Sequence, residues 1–315
     1  MAWKGEAAQR IGLTVRLDDD GRQFEWALRL VKTPGFVENA DGFAAEEYVD
    51  ELHPGRPPVR LLEAAHGEGW WSGEQGRVEL KQSPTACALA AASADASFPA
   101  RDVAAFIGRW GFFDPSPFFL RRDWGELGLN RLDPFGRNLG RTLHALSLSS
   151  PETLRRIVES TRAIVGLPSD LEPRESDERF YFVQSEPGLE YPVPQAAVSS
   201  GTLRMLALMT ALHADSETNL IGIEEPENYV HPTALSAFVE HLMQVQDRIQ
   251  FMVTTHSPLL LDYLGAPEAV RVVRRDGQGG TIVAQPDDPA GVRRALEESG
   301  FGLGEFYESK GFGSG

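Results

Sequence analysis

The sequence predicts an α/β fold with a mainly parallel core sheet, an antiparallel β portion and a helical lobe. Three observations carry that prediction. In the last third, two short apolar runs, 220–223 (LIGI) and 249–253 (IQFMV), flank a helical pattern at the spacing of a β–α–β unit. Near the start, apolar residues recur with period two on both sides of an Asp/Gly turn. Between these regions the apolar period becomes helical. The chain has 315 residues, 42% hydrophobic and 24% charged, an ordinary globular balance. At about 150 residues per domain it holds one large or two modest domains. A chain this size needs no disulfide or metal to hold a core.

The elements follow in order. Ile11, Leu13, Val15 and Leu17 alternate with polar or small residues, the turn Asp18-Asp19-Asp20-Gly21 follows, and Phe24, Trp26, Leu28 and Leu30 alternate again. That pattern is a hairpin. Residues 33–100, rich in Pro, Gly and Ala, read as an irregular, partly β insertion with short strands at 58–62 and 77–81. From 101, Val103, Phe106, Ile107 and Trp110 fall on one helical face, and a turn-rich stretch over 111–117 follows. Leu139, Leu143 and Leu146 share the face of a second helix. Ser150 and Pro151 open a third, with a Leu154, Ile157, Val158, Val165 stripe and Gly166 as its stop. Residues 179–184 (RFYFVQ) read as a strand. Pro232 opens a helix with Leu235, Phe238, Val239, Leu242 and Met243 on one stripe, and the two runs around it read as strands buried on both faces. The expected segments are 1–100 (antiparallel portion), 101–197 (helical lobe) and 198–315 (parallel core).

Thirty Lys and Arg against 46 Asp and Glu leave a net charge of −16, which excludes nucleic-acid binding through bulk charge. The single cysteine, Cys87, forms no internal disulfide, and nothing in the first residues reads as a signal core. No apolar run approaches the roughly 18 residues of a membrane span, so the expected location is the cytoplasm, without a membrane partner.

Three motifs carry chemistry. Ile223-Glu224-Glu225-Pro226-Glu227 has the form of a Walker B element. An acid at the end of a strand can hold Mg²⁺, and a second can orient and deprotonate an attacking water. The alternative is a solvated acidic turn. His256, in TTHSP just past the next strand, can meet a γ-phosphate and the same water; the alternative is a capping histidine. Val198-Ser199-Ser200-Gly201-Thr202-Leu203-Arg204 leads into a helix with Leu203, Leu206 and Thr210 on one side. Free N–H groups, the helix dipole and two hydroxyls make an anion site there, against the alternative of a plain serine cap. Since ligands of open parallel sheets lie beyond the carboxyl ends of the strands, the first two motifs share one edge. His53, His66, His144, His213 and His241 have no such context.

The order of these motifs, with the phrases IEEPENYVHP and TTHSP, resembles the C-terminal half of an ABC-type ATPase head. More narrowly it is similar to the AAA-domain branch related to RecF, SMC and OLD-family proteins. AWKGE near the start, LDPFGRNLGRTLHAL at 132–146 and GLGEFYESKGFG near the end add to the likeness. The resemblance implies an ABC-ATPase-head-like, P-loop NTPase fold that binds ATP and Mg²⁺ between two heads. It implies that Glu224 is the metal position, Glu225 the catalytic base and His256 the switch histidine. Ser199, Ser200 and Gly201 would reach a nucleotide held by the opposite subunit, with Asn228 and His231 in the interface loop. Partners would be a second head, homodimeric or heterodimeric, and DNA or a separately encoded nuclease or effector, in DNA repair or phage defence.

Two departures stand out. Glu224 occupies a position where most ABC ATPases have Asp. No G-x-x-x-x-G-K-[ST] occurs, and the dipeptide Gly-Lys is absent altogether. The expectation is therefore a chain lacking the Walker A strand, loop and helix, through truncation or degeneration. The alternatives are an inactive head serving as an interaction module, and a metal-dependent hydrolase built on Glu224, Glu225, Glu227, His231 and His256. No long coiled-coil insertion is visible, and the roughly 50 residues after Leu264 are too few for a typical nuclease domain.

Overall fold

The structure, a computed structural model, describes residues 10–19, 21–32, 43–125, 131–166, 170–275, 280–286 and 288–310. AWKGE, Asp20 of the acidic turn and the last three residues of GLGEFYESKGFG lie outside them. Two compact units emerge, Met1–Gly108 with Val273–Ala284, and Arg109–Val272 with Gln285–Gly315. Their boundary at 108/109 differs from the sequence segments, which break at 100/101 and 197/198.

The first unit holds a six-stranded antiparallel sheet whose strands lie in chain order. They are β1 (Arg10–Asp19), β2 (Arg22–Lys32), β3 (Phe43–Leu52), β4 (Val59–Ala65), β5 (Glu68–Gly73) and β6 (Gly76–Lys81). The expected hairpin is β1–β2, with Leu17 opposite Phe24 and Leu13 opposite Leu28. Helices α1 (Ala88–Ser93) and α2 (Arg101–Gly108) follow. The stretch read as irregular is mostly regular sheet between 43 and 81, and its alternation is masked by chemistry. In β3, Glu47 is only 2% exposed. Its carboxylate accepts from the Trp26 indole N–H at 2.7 Å and from the backbone N–H groups of Ala88 and Leu89 at the start of α1. A buried acid with full partners looks like a surface residue in the sequence.

The second unit begins with β7 (Trp110–Phe113), so Trp110 starts a strand and the expected turn-rich stretch is partly core sheet. The helical period from Val103 ends at Gly108. Next come α3 (Pro117–Leu120), α4 (Leu139–Ser149) and α5 (Pro151–Val165). Helix α5 starts and stops where Pro151 and Gly166 place it, with Gly166 left-handed at φ 69°. Strands β8 (Asp170–Ser176), β9 (Arg179–Ser185) and β10 (Val193–Pro194) form a small antiparallel sheet. Then follow α6 (Ser200–His213), β11 (Leu220–Glu224), α7 (Pro232–Val245), β12 (Gln250–Thr254) and α8 (Pro258–Leu264). A two-stranded ribbon, β13 (Val272–Arg275) and β14 (Thr281–Ala284), follows and belongs to the first unit except for Val272, after which the second unit resumes with α9 (Pro289–Ser299) and α10 (Leu303–Lys310).

The core sheet is parallel in the order β12–β11–β7, as the β–α–β spacing predicts. Only one of its faces is fully buried. Ile221 and Ile223 are 0% and 2% exposed, whereas the opposite row runs Phe112–Gly222–Met252 with its outer members 53% and 57% exposed. The expectation of strands buried on both faces is corrected: β12 alternates, as an edge strand does. Helix α6 departs the other way. It is buried continuously from Thr202 to Leu212 rather than along one stripe, which makes it the central helix of the core. On α7 the predicted stripe holds except at Met243, which is 49% exposed.

Candidate functional site

The site is assembled where β11 and β12 end. Glu224 is the last residue of β11, opposite Thr254 in register. The N–H of Glu225 donates to the Thr254 carbonyl at 3.0 Å, which carries the ladder one residue past the strand. The chain then turns sharply. Glu225 has φ 39° and Tyr229 φ 67°, left-handed conformations that a non-glycine residue adopts at a cost of roughly 1–3 kcal/mol. The turn is closed by Asn228 N–H to the Glu225 carbonyl at 3.0 Å and Val230 N–H to the Glu227 carbonyl at 3.1 Å.

This turn aims the acids. The Asn228 side-chain amide donates to Glu225 Oε2 at 2.7 Å, and His256 Nε2 lies 3.8 Å from Glu225 Oε1. Glu227 joins the two strand ends. Its Oε1 accepts from the Thr255 hydroxyl at 2.7 Å and from the His256 backbone N–H at 3.0 Å. The side chain of His256 is 92% exposed and that of Glu225 35%, so both are open to a ligand. Beside them lies a cleft of about 270 Å³ lined by Asp114, Glu224 and Thr254 at its polar end and by Phe112, Phe135 and Met252 along its apolar wall.

The hydroxyl-rich helix start packs on the same turn. Ser199 caps α6, its Oγ accepting from Thr202 N–H at 3.1 Å. A Cβ at Gly201 would come within 2.7 Å of the Tyr229 carbonyl oxygen, so only glycine permits this approach. The Arg121 guanidinium donates to the Ala196 and Val198 carbonyls and to Ser200 Oγ, fixing the chain just before the helix. His231 caps α7 instead of meeting Glu225, its Nδ1 accepting from Thr233 N–H at 3.3 Å. The five residues of the metal-hydrolase alternative do not converge, because among the described residues no three His, Cys, Asp or Glu side chains gather to hold a metal.

Arg204 ends the third sequence motif, and motif reading assigned it no role. It is 1% exposed, in the second turn of α6. Its guanidinium donates to the backbone carbonyls of Glu224 at 2.7 Å and Glu225 at 3.1 Å, to the Pro115 carbonyl, and to Asp114 Oδ1 at 3.3 Å. One side chain thereby ties the ends of β7 and β11 to α6. The signal was present as a single charge inside LRMLALMTAL. His213 and His241, read as ordinary, also meet, with their Nε2 atoms 2.9 Å apart between α6 and α7. Burial holds His213 down to about 4, with His241 and nearby Arg156 and Arg248 adding to it.

With this geometry in place, residues 111–262 match the family described as "AAA domain, putative AbiEii toxin, Type IV TA system". The matched segment spans just under half of the chain. The chain is also similar to an OLD nuclease from Thermus scotoductus, 39% identical over 64 residues, which are 20% of this chain and 12% of that protein. The match thus covers a small part of that relative's length. Among solved structures, an SMC head bound to the C-winged helix domain of ScpA aligns over 85% of this chain and 76% of its own, at 10% identity and a TM-score of 0.44. The SMC head domain from Thermotoga maritima aligns over 88% and 74%, at 10% identity and a TM-score of 0.40. No helix among the described residues is long and apolar enough to cross a membrane.

Proposed function

We propose that this AAA domain binds and hydrolyses ATP at a composite site between two heads. The observation that carries the reading is the pair Glu225 and His256, 3.8 Å apart beyond adjacent parallel strands with Glu224 beside them. Glu224, with Asp114 and Thr254 at the cleft's polar end, offers the hard oxygen donors that Mg²⁺ takes. When bound, that ion supplies neutralisation of phosphate charge. Water attacks the γ-phosphorus in line, its proton passes to Glu225, and the bond to the β–γ bridging oxygen breaks to release ADP and phosphate. Asn228 holds Glu225 for that task, and Glu227 holds the backbone of His256, whose ring faces the attacking water. Ser199, Ser200 and Gly201 act on the nucleotide of the opposite head through the open end of α6, and His231 belongs to that interface loop.

The cradle of backbone N–H groups and the phosphate lysine of a Walker A loop are not among these residues, so this reading takes them from outside the 315-residue chain. The same absence favours a second reading, a docking head without turnover. The proposal extends to work beside a nuclease, in line with the 64-residue likeness to an OLD nuclease, and to action on DNA in repair or phage defence as a further part of the same reading.

Calorimetry of this chain with Mg²⁺–ATP is expected to show weak or no binding. In a form that carries the phosphate loop, Glu225→Gln is expected to lower turnover by about 10²–10⁴-fold while nucleotide is retained. Unchanged turnover in that variant overturns the assignment of the base, and absence of turnover in the unsubstituted form selects the docking reading.

A further inference from the structure

We propose that α10 is a buttress for His256, with Asp262 and Gly304 as the positioning residues that tie it to the turn carrying that histidine. The weight of the tie for turnover rests on the ATPase reading above; the tie itself does not.

The ring of His256 is 92% exposed, so its place is set by the backbone that carries it. On the upstream side, Glu227 holds the Thr255 hydroxyl and the His256 N–H. On the downstream side the chain enters α8 two residues later, at Pro258. Seven residues are too few to hold a helix by themselves, and the N-cap, Ser257, makes no side-chain cap bond. Packing fixes α8 instead. Leu260, 1% exposed, enters the main core, while Leu261 lies against the cluster that Leu303 and Phe306 of α10 form with Val292.

The glycines of the segment GLGEF fit α10 to this seat. Gly302 opens α10, its carbonyl accepting from the Phe306 N–H at 3.0 Å. It has no side chain with which to cap the helix, and the Asp262 carboxyl fills that place: a Cβ at Gly302 would fall on it. Asp262 Oδ1 accepts from the Gly304 N–H at 2.7 Å, a capping bond delivered by α8 from 42 positions away. The acid also meets the positive end of the helix dipole. A Cβ at Gly304 would fall on the Pro258 carbonyl oxygen, so glycine lets α10 lie against the first residue of α8. Because the cap comes from α8, the start of α10 and the placing of α8 are one event. All of these contacts lie within the second unit.

The test is amide hydrogen exchange of the full chain without nucleotide. In Asp262→Ala, residues 255–264 are expected to exchange about tenfold faster while α6 is unchanged. Asp262→Asn keeps the acceptor and should stay within about threefold of the unsubstituted chain. Gly304→Ala should loosen the same residues by pushing α10 off Pro258. Gly302→Ser added to Asp262→Ala returns a cap to α10 without the tie, and should leave 255–264 fast. In a form that carries the phosphate loop, Asp262→Ala should lower turnover about tenfold with nucleotide retained. Unchanged exchange at 255–264, protection restored by Gly302→Ser, or a rise shared equally by α6 overturns the proposal. So does turnover that falls with Glu225→Gln but not with Asp262→Ala. Fast exchange at 255–264 with turnover indifferent to both variants overturns the ATPase reading and leaves the buttress standing.

Discussion

Arg204 is a charge in a helix that is otherwise a core element, and its position explains why the acid turn can be strained. Glu225 sits at φ 39°, and the carbonyls on either side of its N–Cα bond both point at the same guanidinium. Removing the guanidinium leaves these carbonyls and that of Pro115 without their donor in the protein interior. Arg204→Met keeps the length and apolar stem, and is expected to cost about 2–4 kcal/mol, read from urea denaturation. Asp114, whose side chain is 44% exposed, can return to water, which keeps the loss below that of a fully buried ion pair. A change under about 1 kcal/mol would mean that the turn holds its shape without the arginine. Gly201→Ala acts on the same turn from its other side. A methyl 2.7 Å from the Tyr229 carbonyl oxygen must push the α6 start and the turn apart, at an expected 1–3 kcal/mol on the order of overpacking. The same denaturation measurement checks it, and Gly201→Ser should cost no less.

Between elements, the contact of α6 with α7 carries a titratable joint. His213 and His241 share one hydrogen bond as neutral rings, with burial lowering both and holding His213 at about 4. In the unfolded chain a histidine takes its proton near 6.5. Between those values the unfolded state binds the extra proton, so stability falls as pH drops from about 6.5 to about 4 and is fully present above that window. Because the ring is partly reached by solvent, the loss is about 1–2 kcal/mol. His213→Gln should flatten the difference between denaturation midpoints at pH 7 and pH 5; an unchanged difference would place the titration elsewhere. Neither histidine announced this in the sequence, because the pairing depends on how two helices lie together. Legibility followed the same line throughout. The acid pair and His256 were readable as neighbours because parallel strands deliver their carboxyl ends to one edge, a rule that needs no coordinates. Strand β7 was not, since WGFF is four residues long and its first member continues the helical period of α2. Strand β3 was hidden by Glu47, an acid that faces inward because three N–H donors await it. Asp114 became visible as the partner of Arg204 only in the fold, since the two stand 90 positions apart.

For the whole molecule the governing quantity is its net charge of −16. Many of its cationic groups are already engaged within the chain. Arg22 pairs with Glu51, Arg60 with Asp50, Arg155 with Glu152 and Glu159, and Arg293 with Glu268. Non-specific affinity for duplex DNA comes from cations that displace counterions from phosphates, and groups committed to carboxylates do this poorly. A local exception lies where Arg122 stacks on Trp124 at 4.0 Å; Arg137 stacks on Phe135 at 5.0 Å but also faces Asp133 at 3.8 Å, so the two together neutralise few phosphates. The expected outcome is therefore no retardation of a duplex by about 10 µM of this chain in about 150 mM salt. Retardation at that salt, lost on substituting Arg122 and Arg137 together, would show that the stacked pair outweighs the global field.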